Sequence, residues 1–342
     1  MIILIILGLI AVIGLSYWNG ANDVSKTIAT IVGGRVGNYK RAVILGATFN
    51  AVGTFLALFF AQTIFKVFTE GLIKETNVGE LFAASVILGA AAWIVIATKT
   101  GMPVSTTHSI LGAIIFLGLF VFTTAGILWK SIALKIALPL IISPIVSFVM
   151  AYGIFWLYSK NLLCLNNLNV KISKNMRKVL NIDNAHWISC AASSFARGMN
   201  DGPKFVALAA TFLVANQLTN NVPGLNTILF SVVAIAMGLG GYIRGMKVTK
   251  TLAYRVTKIG HRDGFIANLI TSVLVTSGAS LGMPMSTTHV SSFAIIGIGT
   301  KKSAKKVNWK TVKHMALAWF VTLPLSGLFS IISYNVLLVV GL

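Results

Sequence analysis

Ten apolar stretches follow one another along the 342 residues, at 1–32, 41–65, 81–98, 102–125, 131–158, 186–216, 225–243, 264–281, 284–300 and 314–340. A helix of about 20 apolar residues spans the hydrocarbon core of a bilayer. Only helices and closed barrels satisfy their backbone there. Such recurrence points to an all-α polytopic membrane protein with about 10–12 membrane segments. Composition agrees: 10% of residues are charged and 56% are hydrophobic, against about 25% charged in a soluble domain. So few charges cannot coat a water-facing surface. A soluble globular protein, a disordered chain and a disulfide-rich secreted module are excluded. Cys164 and Cys190 stand in surroundings that suggest no metal site and read as helix-packing residues. Met1–Leu15 has no basic n-region and no small-x-small cleavage site, so it reads as a first span rather than a removed signal peptide.

The formal net charge is +21. Nucleic acid is not the expected partner, because Lys and Arg gather in short gaps between apolar runs, as the positive-inside rule requires. With the N-terminus outside and one crossing per run, four basic segments share the cytoplasmic side: Arg35–Arg41, Ser159–Asn184, Arg244–Arg262 and Lys301–Lys313. The loop with Glu70, Glu75 and Glu80 and the charge-free loop Gln217–Asn226 fall outside, as do both termini. The chain divides into a first half (1–158), a basic cytoplasmic linker (159–184) and a second half (185–342). Each half has an odd number of crossings, so two similar halves must insert in opposite directions, the inverted-repeat logic of secondary transporters.

The repeat is visible in residues. Gly20, Asn22, Asp23 and Lys26 match Gly198, Asn200, Asp201 and Lys204 at an offset of 178. Gly101-Met-Pro-Val-Ser-Thr-Thr-His108 matches Gly282-Met-Pro-Met-Ser-Thr-Thr-His289 at an offset of 181, with seven of eight residues identical. Of the seven acids, only Asp23 and Asp201 lie inside apolar runs. Burying such a group at the centre of a span costs about 2.5–3.5 kcal/mol on insertion scales, and an ionisable residue there marks a functional site. Gly20, Gly198 and Pro203 weaken the helix beside these acids. Unwound backbone is therefore expected, with carbonyls for a cation, helix N-termini for an anion, and a polar cavity near mid-membrane. In the second motif Gly-Met-Pro reads as a helix start with proline near the first turn. Its Ser-Thr-Thr hydroxyls and N-terminal amides form a nest for an oxyanion. His108 and His289 read as proton carriers or, preferably, as neutral histidines bonding a carbonyl behind the site. Lys26, Lys204 and Arg197 either draw in an anion or balance the two aspartates.

The Gly-Ala-Asn-Asp-Val stretch at 20–24, Gly-Met-Asn-Asp at 198–201 and the paired Pro-x-Ser-Thr-Thr-His stretches at 103–108 and 284–289 resemble the PiT family of inorganic phosphate transporters. The resemblance spans both halves. It implies cation-coupled uptake of inorganic phosphate across the plasma membrane by a homodimer of inverted-repeat subunits with broken helices or re-entrant hairpins. It also implies that Asn22, Asp23, Asn200 and Asp201, with Ser105, Thr106, Thr107, Ser286, Thr287 and Thr288, line the phosphate and cation sites. Na⁺ would sit at Asp23 and Asp201, with Asn22 and Asn200 beside it. Lys26, Lys204, Arg197, His108 and His289 are accessory. The chain departs from the family where many relatives have His and it has Arg197, and where many sodium-coupled relatives have Glu and it has Asn50. The coupling ion therefore stays open between Na⁺ and H⁺.

Phosphate near neutral pH still carries a proton, whereas sulfate does not, so a carboxylate beside the anion suits phosphate. No cofactor is expected, and no Gly-x-x-x-x-Gly-Lys-Ser/Thr phosphate loop occurs. A symporter of sulfate or another tetrahedral oxyanion is the alternative. A passive anion channel and an intramembrane enzyme acting on a phosphorylated lipid are weaker ones. Opposed twin sites suit alternating access and not catalysis.

Overall fold

The computed structural model describes residues 2–74, 79–160, 181–215 and 224–341. Glu75, Cys164, most of the linker and the greater part of the loop expected at Gln217–Asn226 lie outside the described residues.

The described chain is almost wholly helical. The first half holds α1 (Ile2–Gly33), α2 (Tyr39–Phe60), α3 (Gln62–Glu70), α4 (Glu80–Thr100) and α5 (Thr106–Phe122). A helical turn (Trp129–Ser131) and a π-helical segment (Ile132–Ala137) then lead into α6 (Leu138–Ser159). The second half holds α7 (Ile182–Ala215), α8 (Leu225–Arg244), α9 (Met246–Tyr254), α10 (His261–Ser280), α11 (Thr287–Ser303) and α12 (Trp309–Val339). One isolated bridge, Ile73 to Ile127, is the only β pairing among the described residues.

Among the described residues, six helical stretches are long and apolar enough to cross a membrane: Ile3–Gly33, Tyr39–Phe60, Glu80–Thr100, Trp129–Leu157, Leu225–Arg244 and Trp309–Val339. The other four apolar runs of the sequence also form helices, but shorter or more polar ones. α5 has 17 residues. α7 carries Arg197, Asp201 and Lys204 in its middle, all buried. α10 and α11 bury Asn268, Thr271, Ser272, Thr287, Thr288, Ser291 and Ser292. Protein must cover helices of this kind, since lipid offers no partner to their polar groups. α7 packs against α2 and α10, and α1 packs against α8, α4 and α7. The charged stretches of α1 and α7 thus lie inside the bundle.

The expected unwinding beside the aspartates does not occur. α1 runs unbroken through Gly20, and α7 runs unbroken through Gly198 and Pro203. The two glycines serve packing. A Cβ at Gly20 would fall 1.9 Å from the carbonyl oxygen of Met237 on α8, and one at Gly198 would fall 2.0 Å from that of Asn50 on α2. Helices in membranes approach closely where small residues meet.

The chain breaks instead at the second motif. α4 ends at Gly101, whose φ of +80° is left-handed, and the turn before α11 uses Gly282 at +71°. Residues 102–105 and 283–286 are not helical. α4–α5 and α10–α11 are therefore hairpins. Ser105 and Ser286 cap the returning helices, each accepting a hydrogen bond from the backbone N–H of the histidine three residues on. Pro103 and Pro284 lie two residues before these caps, near the first turn of each returning helix but outside it.

Candidate functional site

On α1, Asn19, Asn22, Asp23 and Lys26 are spaced i, i+3, i+4 and i+7, which puts them on one face. On α7, Arg197, Asn200, Asp201 and Lys204 repeat that spacing. The two faces meet the two hairpin tips, and nearly every contact occurs twice.

Asn22 grips the first tip. Its Nδ2 donates to Met102 O at 3.0 Å, and its Oδ1 accepts from Val104 N at 3.3 Å. Asn200 grips the second tip, donating to Met285 O and accepting from Met285 N, both at 3.0 Å. Asp23 Oδ1 pairs with Lys26 Nζ at 2.8 Å, and Asp201 Oδ1 pairs with Lys204 Nζ at 2.6 Å. Each lysine then reaches the opposite half. Lys26 Nζ donates to Thr288 Oγ1 at 2.6 Å and Lys204 Nζ donates to Thr107 Oγ1 at 2.7 Å. Those threonines donate onward to Val104 O and Met285 O, at 2.8 and 3.2 Å. The carbonyls expected from unwound α1 and α7 are thus supplied by the hairpin tips.

The aspartates are also bridged across the helices. Arg197 Nη1 donates to Asp23 Oδ1 at 3.0 Å, and Asn19 Nδ2 donates to Asp201 Oδ2 at 3.4 Å. Thr287 Oγ1 donates to Asp23 Oδ1 at 3.0 Å, while Thr106 Oγ1 hydrogen-bonds Asn19 Oδ1. The structure therefore brings together all ten residues expected to line the phosphate site, and all are buried. Ser105 and Ser286 sit at its edge as caps.

Three buried cations, Lys26, Lys204 and Arg197, face two buried carboxylates, Asp23 and Asp201. A buried ion survives only when paired and hydrogen-bonded, and removing one partner strands the other. The five groups act as one network with an excess of positive charge. Neither histidine touches the aspartates. His108 Nδ1 lies 2.8 Å from Ser105 Oγ, not against a backbone carbonyl. Its ring lies 4.7 Å from that of His289, which lies 4.3 Å from the Trp319 ring. Trp319 Nε1 donates to Pro103 O at 3.0 Å, tying α12 to the first tip. Asn50 is buried on α2, its Nδ2 donating to Ser194 O at 3.4 Å. No cluster of three or more His, Cys, Asp or Glu side chains suited to a metal occurs among the described residues.

Asn19 escaped the sequence reading, although it aligns with Arg197 at the offset of 178. Trp319 and the tip carbonyls had no local signal; they are placed by packing of distant segments.

Residues 19–330 match the phosphate transporter family, covering both aspartate motifs and both hairpins. This chain belongs to that family. It is 32% identical, over 98% of both chains, to the "Probable low-affinity inorganic phosphate transporter" of Bacillus subtilis. It is 27% identical, over 96% of both, to the protein of the same description from Rhizobium meliloti. A solved structure titled "The sodium-dependent phosphate transporter" aligns with 99% of this chain and 100% of its own, at a TM-score of 0.85 and 24% identity. That likeness shows that the two share a fold. As a member of the phosphate transporter family the chain is a multi-pass membrane transporter and not an enzyme.

Proposed function

We propose that this protein imports inorganic phosphate across the plasma membrane, driven by a coupled cation, Na⁺ or H⁺, through alternating access. The observation that carries the reading is the duplicated, fully buried network of Asn22–Asp23–Lys26 and Asn200–Asp201–Lys204 against the two Ser-Thr-Thr tips. The reading takes the halves 1–158 and 185–342 as inverted repeats joined by a cytoplasmic linker, with both termini outside and two subunits per transporter.

The chemistry suits a partly protonated tetrahedral oxyanion. Threonine hydroxyls, asparagine amides and cationic side chains donate to its oxygens. A carboxylate accepts its remaining proton, which sulfate lacks. Alternating access would require the cross-half contacts to exchange: Lys26–Thr288 and Lys204–Thr107 tie one half to the other, and rocking of the halves would release them.

The coupling ion follows from what already occupies the carboxylates. Lys26 Nζ is surrounded by Asp23 Oδ1, Val104 O and Thr288 Oγ1 at 2.6–2.8 Å. Carboxylate, carbonyl and hydroxyl oxygens are the ligands of a hard cation. An ammonium group already fills the oxygen shell beside Asp23, and that is the ground for placing H⁺ before Na⁺ in this reading. The test is labelled phosphate uptake into proteoliposomes under an imposed proton gradient or an imposed sodium gradient. Accumulation with the proton gradient and none with sodium alone is expected. Accumulation with sodium alone reverses the choice of ion, and uptake of sulfate in preference to phosphate refutes the choice of substrate.

A further inference from the structure

The twofold pattern of the site breaks most sharply at one charged position. Arg197 stands where the first half has Asn19. Its guanidinium is fully buried and spends one nitrogen, Nη1, on Asp23 Oδ1. Nε and Nη2 have no partner, and neither has Asp23 Oδ2. A buried donor on a charged group left unpaired is costly, so three such atoms on two adjoining residues point to a ligand that satisfies them. The pattern is donor, donor, acceptor. Nε and Nη2 form the fork that matches two oxygens of a tetrahedral or planar oxyanion. A lone acceptor beside them takes an O–H.

The surroundings are asymmetric in the same sense. One helical turn beyond Asp23 lies Thr27, one turn before Arg197 lies Ser193, and one turn beyond Thr288 lies Ser292. All three are buried, with hydroxyls lacking partners. At the same offsets the other half has Phe205, Leu15 and Leu111, all buried in the apolar core.

Resting on the phosphate reading above, we propose that Arg197 Nε and Nη2, with Asp23 Oδ2, anchor the phosphate, and that it meets them on the face bearing Thr27, Ser193 and Ser292. Two phosphate oxygens accept from the guanidinium and the P–OH donates to Asp23 Oδ2. Arg197 sets both affinity and preference for a protonated oxyanion. The Asp201 side, where the matching positions are Phe205, Leu15 and Leu111, holds no second anion.

The test uses the purified full chain, with phosphate binding measured at equilibrium in detergent and uptake measured in proteoliposomes. Arg197→Lys keeps the charge beside Asp23 and removes the fork. It is expected to raise the phosphate Kd and KM about tenfold or more while the maximal rate stays within about threefold, and to narrow the preference for phosphate over sulfate. Arg197→Asn, which copies the first half, is expected to abolish binding. Phosphate should raise the melting temperature of the wild type and not of Arg197→Asn. Wild-type Kd and selectivity in Arg197→Lys would overturn the anchor, even if Arg197→Asn fails to fold. A wild type that neither binds nor moves phosphate would instead overturn the transport reading itself, whereas binding without transport leaves the anchor decided by the Arg197→Lys titration.

Discussion

The Asp23 side and the Asp201 side of the central network share a frame and differ in chemistry. Both have a lysine one turn on, an asparagine clamped to a hairpin tip, and a threonine reaching over from the opposite half. Around Asp23, however, lie a second cation and hydroxyls with no partner, whereas around Asp201 the matching places are an amide and apolar side chains. The two sides keep alike what positions the backbone and differ in the side chains around it. On the transport reading proposed above, the shared frame would serve two opposed closures and the differing lining would hold a single anion at one place during both.

The largest effect is expected from the acids. Asp23→Asn or Asp201→Asn should reduce phosphate accumulation to background in cells that lack other phosphate uptake, with the protein still found in the membrane fraction. Stranding a buried cation also costs about 3–5 kcal/mol, so detergent melting temperatures should fall. Near-normal accumulation in either variant would sever the acids from transport. Next come substitutions that impose one side's lining on the other. Ser193→Leu and Thr27→Phe copy Leu15 and Phe205, and each should weaken phosphate binding about tenfold, a change of about 1.4 kcal/mol in binding free energy. If Leu15→Ser and Phe205→Thr weaken binding equally, the contrast between the sides is wrong. Gly20→Ala and Gly198→Ala probe the shared frame. Each should destabilise by about 1–3 kcal/mol, since the new Cβ meets a backbone carbonyl at 1.9 or 2.0 Å. Similar losses at both positions, read as melting temperatures, would support the common frame. The smallest effect belongs to Trp319→Phe, which removes the bond to Pro103 O and should cost about 1 kcal/mol.

The sequence already displayed much of this arrangement. Apolar run length fixed the all-helical membrane class, because bilayer thickness leaves few alternatives. The paired Asn-Asp-x-x-Lys and Ser-Thr-Thr-His motifs marked residues that meet at the centre of the bundle, but not Asn19, whose part comes from its reach to Asp201 on a distant helix. Local helix rules failed at Gly20 and Gly198. There, close contact with Met237 and Asn50 on neighbouring helices decides the conformation, and no window of sequence contains both partners. The hairpin carbonyls of Val104 and Met285 were invisible for a related reason: their roles come from threonines about 180 residues away, at 2.8 and 3.2 Å.

Those crossed threonines carry a further consequence. Thr288 completes the oxygen shell of Lys26, and Thr107 completes that of Lys204. Neither half, cut free at the linker and made alone, can furnish a finished cradle for its own ammonium group. Two separately produced fragments would be inert apart and would regain their chemistry only by clasping each other.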